Sequence, residues 1–219
     1  MTVHQADQLG IENFALLSAH VLVPPAMTAL LTNPDDQVQG FLAAGHVCTV
    51  MGENAYEAIA IDHQVPIVVT GFEPVDILQG ILSCVQQLET RQFACDNQYR
   101  RAVQAEGNAV AQRMLDQVFE PVELSWRGLG TIPQSGLGLK SAFSAWDAQQ
   151  QFRERLATLA PQPESPICIS GKILQGHCKP SDCSAFGKDC TPEMPLGAPM
   201  VSSEGACAAY YRYRQQLIA

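Results

Sequence analysis

Cysteine placement constrains this chain more than any other feature. Five of its eight cysteines, Cys168, Cys178, Cys183, Cys190 and Cys207, fall within the last 53 of 219 residues, a stretch also rich in Gly and Pro. So short and irregular a segment has too little apolar material to close a core, so a cross-link or a metal must add stability. The opening residues Met1–Asp7 show no basic stretch followed by an apolar one, so a cytoplasmic setting is expected. Thiols stay reduced there, and crowded cysteines read as metal binding or redox chemistry before disulfides.

Four of the five follow the pattern Cys168-x14-Cys183-x6-Cys190-x16-Cys207. Thiolates are soft ligands suited to iron-sulfur clusters or tetrahedral zinc, and either needs four of them brought together from separate loops. Structural zinc sites usually begin with pairs about two to four residues apart. Cys178-x4-Cys183 supplies one such pair and no second follows, so the spacing favours a cluster over zinc. Cys48, Cys84 and Cys95 are scattered and read as small buried apolar residues.

Net charge is -9 and the pI about 4.9. No basic surface is available for phosphates, so nucleic acid is not an expected partner. The balance is uneven: residues 167–219 carry +1, leaving -10 on the first 166. No apolar run approaches the roughly 18 residues of a membrane-spanning helix, so no membrane partner is expected.

From residue 1 to about 120, apolar runs alternate with helical patterns. Phe14–Ser18 reads as a buried strand, Pro24–Leu31 as a helix opened by proline, and Gly40–Gly45 as a second strand followed by a helical stretch over 49–61. Val65–Phe72 is the clearest strand, followed by a helix over Val75–Glu89; 96–119 reads as one more long helix with a possible break at Gly107-Asn108. Strand, loop and helix in repetition, with continuously apolar strands, predict an α/β fold with a parallel, Rossmann-like sheet covered on both faces. Trp126–Pro133 reads as glycine-punctuated and extended. The expected organisation is an α/β domain over 1–157, a proline-rich linker over 158–166 and an irregular cysteine-rich module over 167–219.

The late motifs are specific. The stretches Lys179–Glu193 (KPSDCSAFGKDCTPE) and Met200–Tyr211 (MVSSEGACAAYY) resemble the carboxy-terminal signature of the HypD family, maturation factors for NiFe hydrogenases. The likeness continues upstream through Leu22–Pro25, Gly45–Val47, Gly71–Gln79, Asn97–Tyr99, Glu123–Gly130 and Ser135-Gly136, so it covers essentially the whole chain. It implies a scaffold, not a turnover enzyme, that works with a HypC-type chaperone and HypE in assembling the iron centre bearing carbon monoxide and cyanide. It further implies a 4Fe-4S cluster in the carboxy-terminal module, serving structure and electron supply, with Cys183, Cys190 and Cys207 as ligands. For the fourth ligand the family usually has cysteine where this chain has Ser170; Cys168 is favoured and Cys178 is the alternative.

The family's first domain carries a Cys-Gly-Gly-His type and a Cys-x-x-Cys type motif, and neither occurs in these 219 residues. The chain therefore reads as the carboxy-terminal part of such a protein, its α/β domain lacking a first strand. Such a sheet is expected to expose an edge or an apolar face, and the chain is not expected to complete the iron centre alone. Two other readings stay open: a zinc-stapled interaction module, and a stand-alone thiol or Fe-S oxidoreductase using Cys178.

Several further residues are candidates for contact with partners or another domain. His46, Glu73 and Asp76 stand just beyond strands, where open α/β sheets place their sites; the acidic pair also fits a helix start. His20 has a similar strand-end position. Trp126 and Arg127 are residue types that anchor interfaces, with packing the competing account. Ser202, Ser203 and Glu204 precede Cys207 and are candidates for hydrogen bonds to cluster sulfurs or for capping the helix that follows.

Overall fold

The computed structural model describes residues 1–159 and 165–214. The centre of the proline-rich stretch, residues 160–164, lies outside the described residues. Among the described residues no helix is long and apolar enough to cross a membrane.

The core is a three-stranded parallel sheet in the order β1 (Phe41–Ala44), β2 (Ile67–Thr70), β3 (Cys95–Asn97). The register pairs Phe41 with Ile67 and Ile67 in turn with Cys95. Side chains alternate across a strand, and both faces of β2 are covered. Ile67 and Val69 join Ala43, Cys48, Tyr56 and Ala60 in the main core. Those last three side chains come from α3 (Gly45–Met51) and α4 (Asn54–His63), two helices separated by Gly52 and Glu53 where one helical stretch over 49–61 was expected. Thr70, on the opposite face, packs against Gly80 of α5 (Pro74–Thr90). Before β1, α1 (Thr2–Leu9) and α2 (Val23–Leu31) are helical; α2 opens on prolines and sends Met27 into the main core.

Two expectations need correction. Phe14–Ser18 is not a sheet strand: Leu16 makes a single parallel bridge with Asp147, and Leu17 is exposed. Phe14 and Leu16 instead pack half-buried on a second core of Val3, Val118, Leu139 and Phe143. Residues 96–119 are not one helix either. They begin with β3, after which Asn97 ties the chain into a loop by accepting from the Tyr99 amide at 2.8 Å and donating to the Val103 carbonyl at 3.2 Å. Helix α6 (Ala109–Val118) starts only where the Asn108 side chain accepts from the amides of Val110 and Ala111, both at 3.0 Å, an N-cap in the usual sense.

An antiparallel hairpin follows directly, β4 (Phe119–Trp126) and β5 (Gly130–Leu139), with a register shift between Val122 and Leu124. The extended reading of Trp126–Pro133 corresponds to its tip. After a 3-10 segment over Ser141–Trp146 come two short helices, α7 (Ala148–Gln151) and α8 (Arg153–Ala157). The cysteine-rich segment holds α9 (Ser170–Leu174), a 3-10 turn over Pro180–Asp182, α10 (Ala198–Val201) and α11 (Ala206–Arg214) around a small core of Ala185, Cys190, Met200 and Ala208. The fold is thus mixed α/β, with a parallel sheet, an antiparallel hairpin and an irregular last segment.

Candidate functional site

Four loops and helix starts deliver the late cysteines to one place. Cys168 comes from the turn before α9, Cys183 ends the 3-10 turn, Cys190 closes a tight loop and Cys207 lies in the first turn of α11. The loop carrying Cys190 is held by its amide donating to the Ala185 carbonyl at 2.9 Å and by the Gly187 amide donating to the Cys190 carbonyl at 3.0 Å. All four thiols line one small cavity, whose other walls include Ile169, Ile173, Phe186, Pro199 and Met200. The spacing fits this convergence, because the intervening stretches are turns and short helices rather than strands.

The cavity is apolar and the Cys207 thiol feels it. Burial pushes the Cys207 thiol up to about 11, and the nearby Cys190, Cys168 and Cys183 add to the rise. A thiol must shed its proton to become a metal ligand, so a positive metal centre is what would reverse this shift. The Leu196 amide donates to Cys190 Sγ at 3.4 Å, the kind of contact that stabilises a thiolate. Gly197 faces Cys168 so closely that a Cβ there would overlap Sγ; the missing side chain is the space the sulfur occupies. Among the described residues no three His, Cys, Asp or Glu side chains converge tightly enough for a single ion. Four soft donors around one cavity are a set suited to an iron-sulfur cluster or to tetrahedral zinc.

Cys178 is half-buried and does not line the cavity. Ser202, Ser203 and Glu204 are exposed and likewise stand outside its lining; Ser202 Oγ accepts from the Glu204 amide at 3.2 Å in a turn before α11. Ser170, buried at the start of α9, is the polar residue on that wall, and its Oγ lies beside Gly128 of the hairpin tip. The remaining cysteines are shielded: burial pushes Cys48 up to about 11 and Cys95 up to about 12. Cys48 packs inside the main core and Cys95 lies partly buried against it.

A second cluster lies at the carboxyl ends of β1 and β2. Asp76 is buried in the first turn of α5, and Arg101 donates to both its carboxylate oxygens, at 2.8 and 2.6 Å. That bidentate pair holds the Asp76 carboxyl below the usual range. The same guanidinium lies 3.3 Å from Glu73 and stacks over the Tyr99 ring at 4.5 Å. His46, at the start of α3, rests its exposed ring on Phe72 with centroids 5.1 Å apart. Glu73, Asp76 and Arg101 therefore meet, and His46 with Phe72 forms an exposed aromatic edge on the neighbouring loop. Arg101 escaped the sequence reading because it sat inside an expected helix; a buried aspartate in need of a cation was the available signal.

The other candidates sit apart. Trp126 donates through Nε1 to Ser135 Oγ at 2.8 Å, and Ser135 donates on to the Ile132 carbonyl at 2.7 Å, so the tryptophan braces the hairpin. Arg127 is exposed at the hairpin tip. His20 packs edge-on against Phe119 at 5.4 Å and shares a 3.0 Å hydrogen bond with Ser18.

Comparison with known proteins matches residues 1–214 to the HypD family profile, described as the hydrogenase formation hypA family. The hydrogenase maturation factor HypD of Rhodobacter capsulatus is 43% identical over 215 residues, covering 97% of this chain and 57% of that protein. The factor of the same name from Escherichia coli K12 is 43% identical over 219 residues, 99% of this chain and 57% of its own. The hydrogenase expression/formation protein HupD of Azotobacter chroococcum is 42% identical over 224 residues, 99% and 58%. The chain spans a little over half the length of these relatives. With the profile matched along nearly every residue, the chain belongs to the HypD family.

Proposed function

We propose that this chain serves NiFe-hydrogenase maturation as a scaffold whose last segment carries a 4Fe-4S cluster held by Cys168, Cys183, Cys190 and Cys207. The observation that supports this most is the convergence of those four thiols on one apolar cavity in a member of this family. When bound, the cluster supplies one-electron chemistry. The protein's own residues do the rest: Gly197 leaves room for the Cys168 sulfur, the Leu196 amide faces Cys190, and Met200 and Phe186 exclude water. The strand-end surface of His46, Phe72 and Glu73 is the docking side for a HypC-type chaperone, HypE or another HypD domain, with Asp76 and Arg101 holding it in shape. Cys-Gly-Gly-His and Cys-x-x-Cys thiols are absent from these residues, so the share of the work assigned to this chain is cluster support and partner docking in the cytoplasm.

Anaerobic purification followed by iron and acid-labile sulfide analysis tests the reading. About four irons and four sulfides per chain are expected. A colourless protein with one zinc and no sulfide would replace the cluster by a zinc staple. Cys168→Ser is expected to lose the iron and Cys178→Ser to keep it; the reverse result would move the fourth ligand to Cys178. Glu73→Lys is expected to abolish binding of a HypC-type chaperone or HypE in a pull-down while leaving the iron content unchanged.

A further inference from the structure

Helix α5 has two opposite faces with different fates. One meets the sheet: Gly80 is buried against Thr70, and Asp76, also buried, is taken up by Arg101. The other points away: Val75, Leu78, Leu82 and Val85, spaced by three, four and three residues, are 46% to 65% exposed. A helix on a protein surface ordinarily turns polar and charged residues outward. Between Pro74 and Leu88 the single charged residue is the buried Asp76, so the outward stripe carries no charge until Glu89. Aliphatic side chains grouped together with charge excluded from among them are what the centre of an interface presents.

The spacing defines the shape that covers this face. Three-four-three is the seam along which one α-helix packs against another, and here it runs for about three turns. The charges at its ends argue against a second copy. Glu89, four residues after Val85, closes the stripe at one end, and Glu73 stands before the other. Two copies paired antiparallel would bring Glu89 of each toward Glu73 of the other, and paired parallel would set Glu89 beside Glu89; each copy also carries a net charge of -9. Such like-charge meetings cost affinity. The relatives offer another source: they are matched over 57% to 58% of their length, so a little over two-fifths of a protein of this family lies outside the present chain.

We infer that the outward face of α5 seats a helix from that remaining part of a HypD protein, an amphipathic helix with an aliphatic seam at matching spacing and a Lys or Arg where it passes Glu89. The inference rests on the reading above in one respect, that this chain works within a HypD assembly; it does not depend on the cluster. It assigns the length of α5 to the polypeptide's own family portion and leaves the strand-end surface to the other maturation partners.

The experiment co-expresses the full, tagged chain with the segment of Rhodobacter capsulatus HypD outside the match, so that the segment need not fold alone, and reads co-purification. Wild type is expected to retain the segment in equimolar amount. Leu78→Glu combined with Leu82→Glu is expected to lower retention by about tenfold or more with iron content and denaturant midpoint unchanged, because both residues are exposed in the chain itself. Glu89→Lys is expected to weaken retention, and Leu78→Met combined with Leu82→Met to preserve it. No retention by wild type overturns the inference, and so does equal retention by the double glutamate variant, which would place the segment elsewhere. A wild-type chain that is a dimer by light scattering, with the double variant a monomer, would give the face to a second copy and likewise overturns it. Capture of HypE or a HypC-type chaperone is measured in the same preparations: its failure strikes the partner reading above, whereas loss of the segment alone strikes this inference.

Discussion

At the scale of single residues, Gly197 and Asp76 show how one contact sets the condition of a whole site. The Cys168 sulfur fills the place where any side chain at 197 would begin. Gly197→Ala is therefore expected to push the thiol out of the cavity and to speed loss of iron to a chelator, without altering the α/β portion. Equal chelation rates for wild type and variant would refute this. Asp76 makes a different kind of test, because Arg101 lowers its folded-state carboxyl value. A lowered value means stability that is complete above the ordinary carboxylate range, near about pH 4, and that is lost as pH falls through the folded-state value below it. Asp76→Asn is expected to lower Tm at neutral pH, and the gap from wild type is expected to close on acidification below about pH 4. A gap that widens in acid would show that the pair does not act as described.

Elements differ in how firmly they are held, and the difference is measurable on neighbours. In β2, Ile67, Val68 and Val69 are wholly buried between α4 on one side and α5 on the other. Ile67→Ala is expected to cost about 2–5 kcal/mol of unfolding free energy, as large-to-small core changes do. Helix α5 instead turns Val75, Leu78, Leu82 and Val85 outward, a stripe at helical spacing. Leu78→Ala in this chain is expected to change stability by no more than about 0.5 kcal/mol. Denaturant midpoints for the two variants decide the matter. The same contrast explains which elements could be read in advance. A continuous apolar run such as Val65–Thr70 is distinctive, and so is a helix opened by Pro74, and both were legible. β3 was not, because Cys95-Asp96-Asn97 has neither apolar continuity nor length; its edges are tied by Ser83 donating to Asp96 at 2.6 Å and Gln87 accepting from the Ala94 amide at 2.9 Å. Phe14–Ser18 had the composition of a strand and lacked a partner strand, which only the tertiary arrangement decides. The hairpin was obscured by Pro121 and by the shift after Val122, both of which break simple alternation.

Taken as a whole, the molecule joins a portion with an ordinary apolar core to one without. The cysteines of the second portion could be read from spacing because crowded thiols are rare. Arg101 could not, since a single arginine has no period and acquires its role only when α5 meets the loop after β3. The two portions are expected to respond differently to metal removal. The main core contains Met27, Tyr56, Val65, Ile67 and Val69, whereas among the described residues the cluster buried in 165–214 is the small set Ala185, Cys190, Met200 and Ala208. A core that small does not sustain a segment of this length, so its folding should be linked to occupation of the thiol site. Iron chelation under anaerobic, reducing conditions is expected to make the chain between Cys168 and Cys207 sensitive to protease. The amides of β2 should keep their protection from hydrogen exchange, because none of their partners lies in the cysteine-rich segment. Simultaneous loss of protection in both portions would mean that the close approach of Gly171 to Gly128 and the hydrogen bond from the Gln37 amide to the Gln175 carbonyl transmit unfolding. Unchanged protease sensitivity would mean that the segment is held by packing and not by metal.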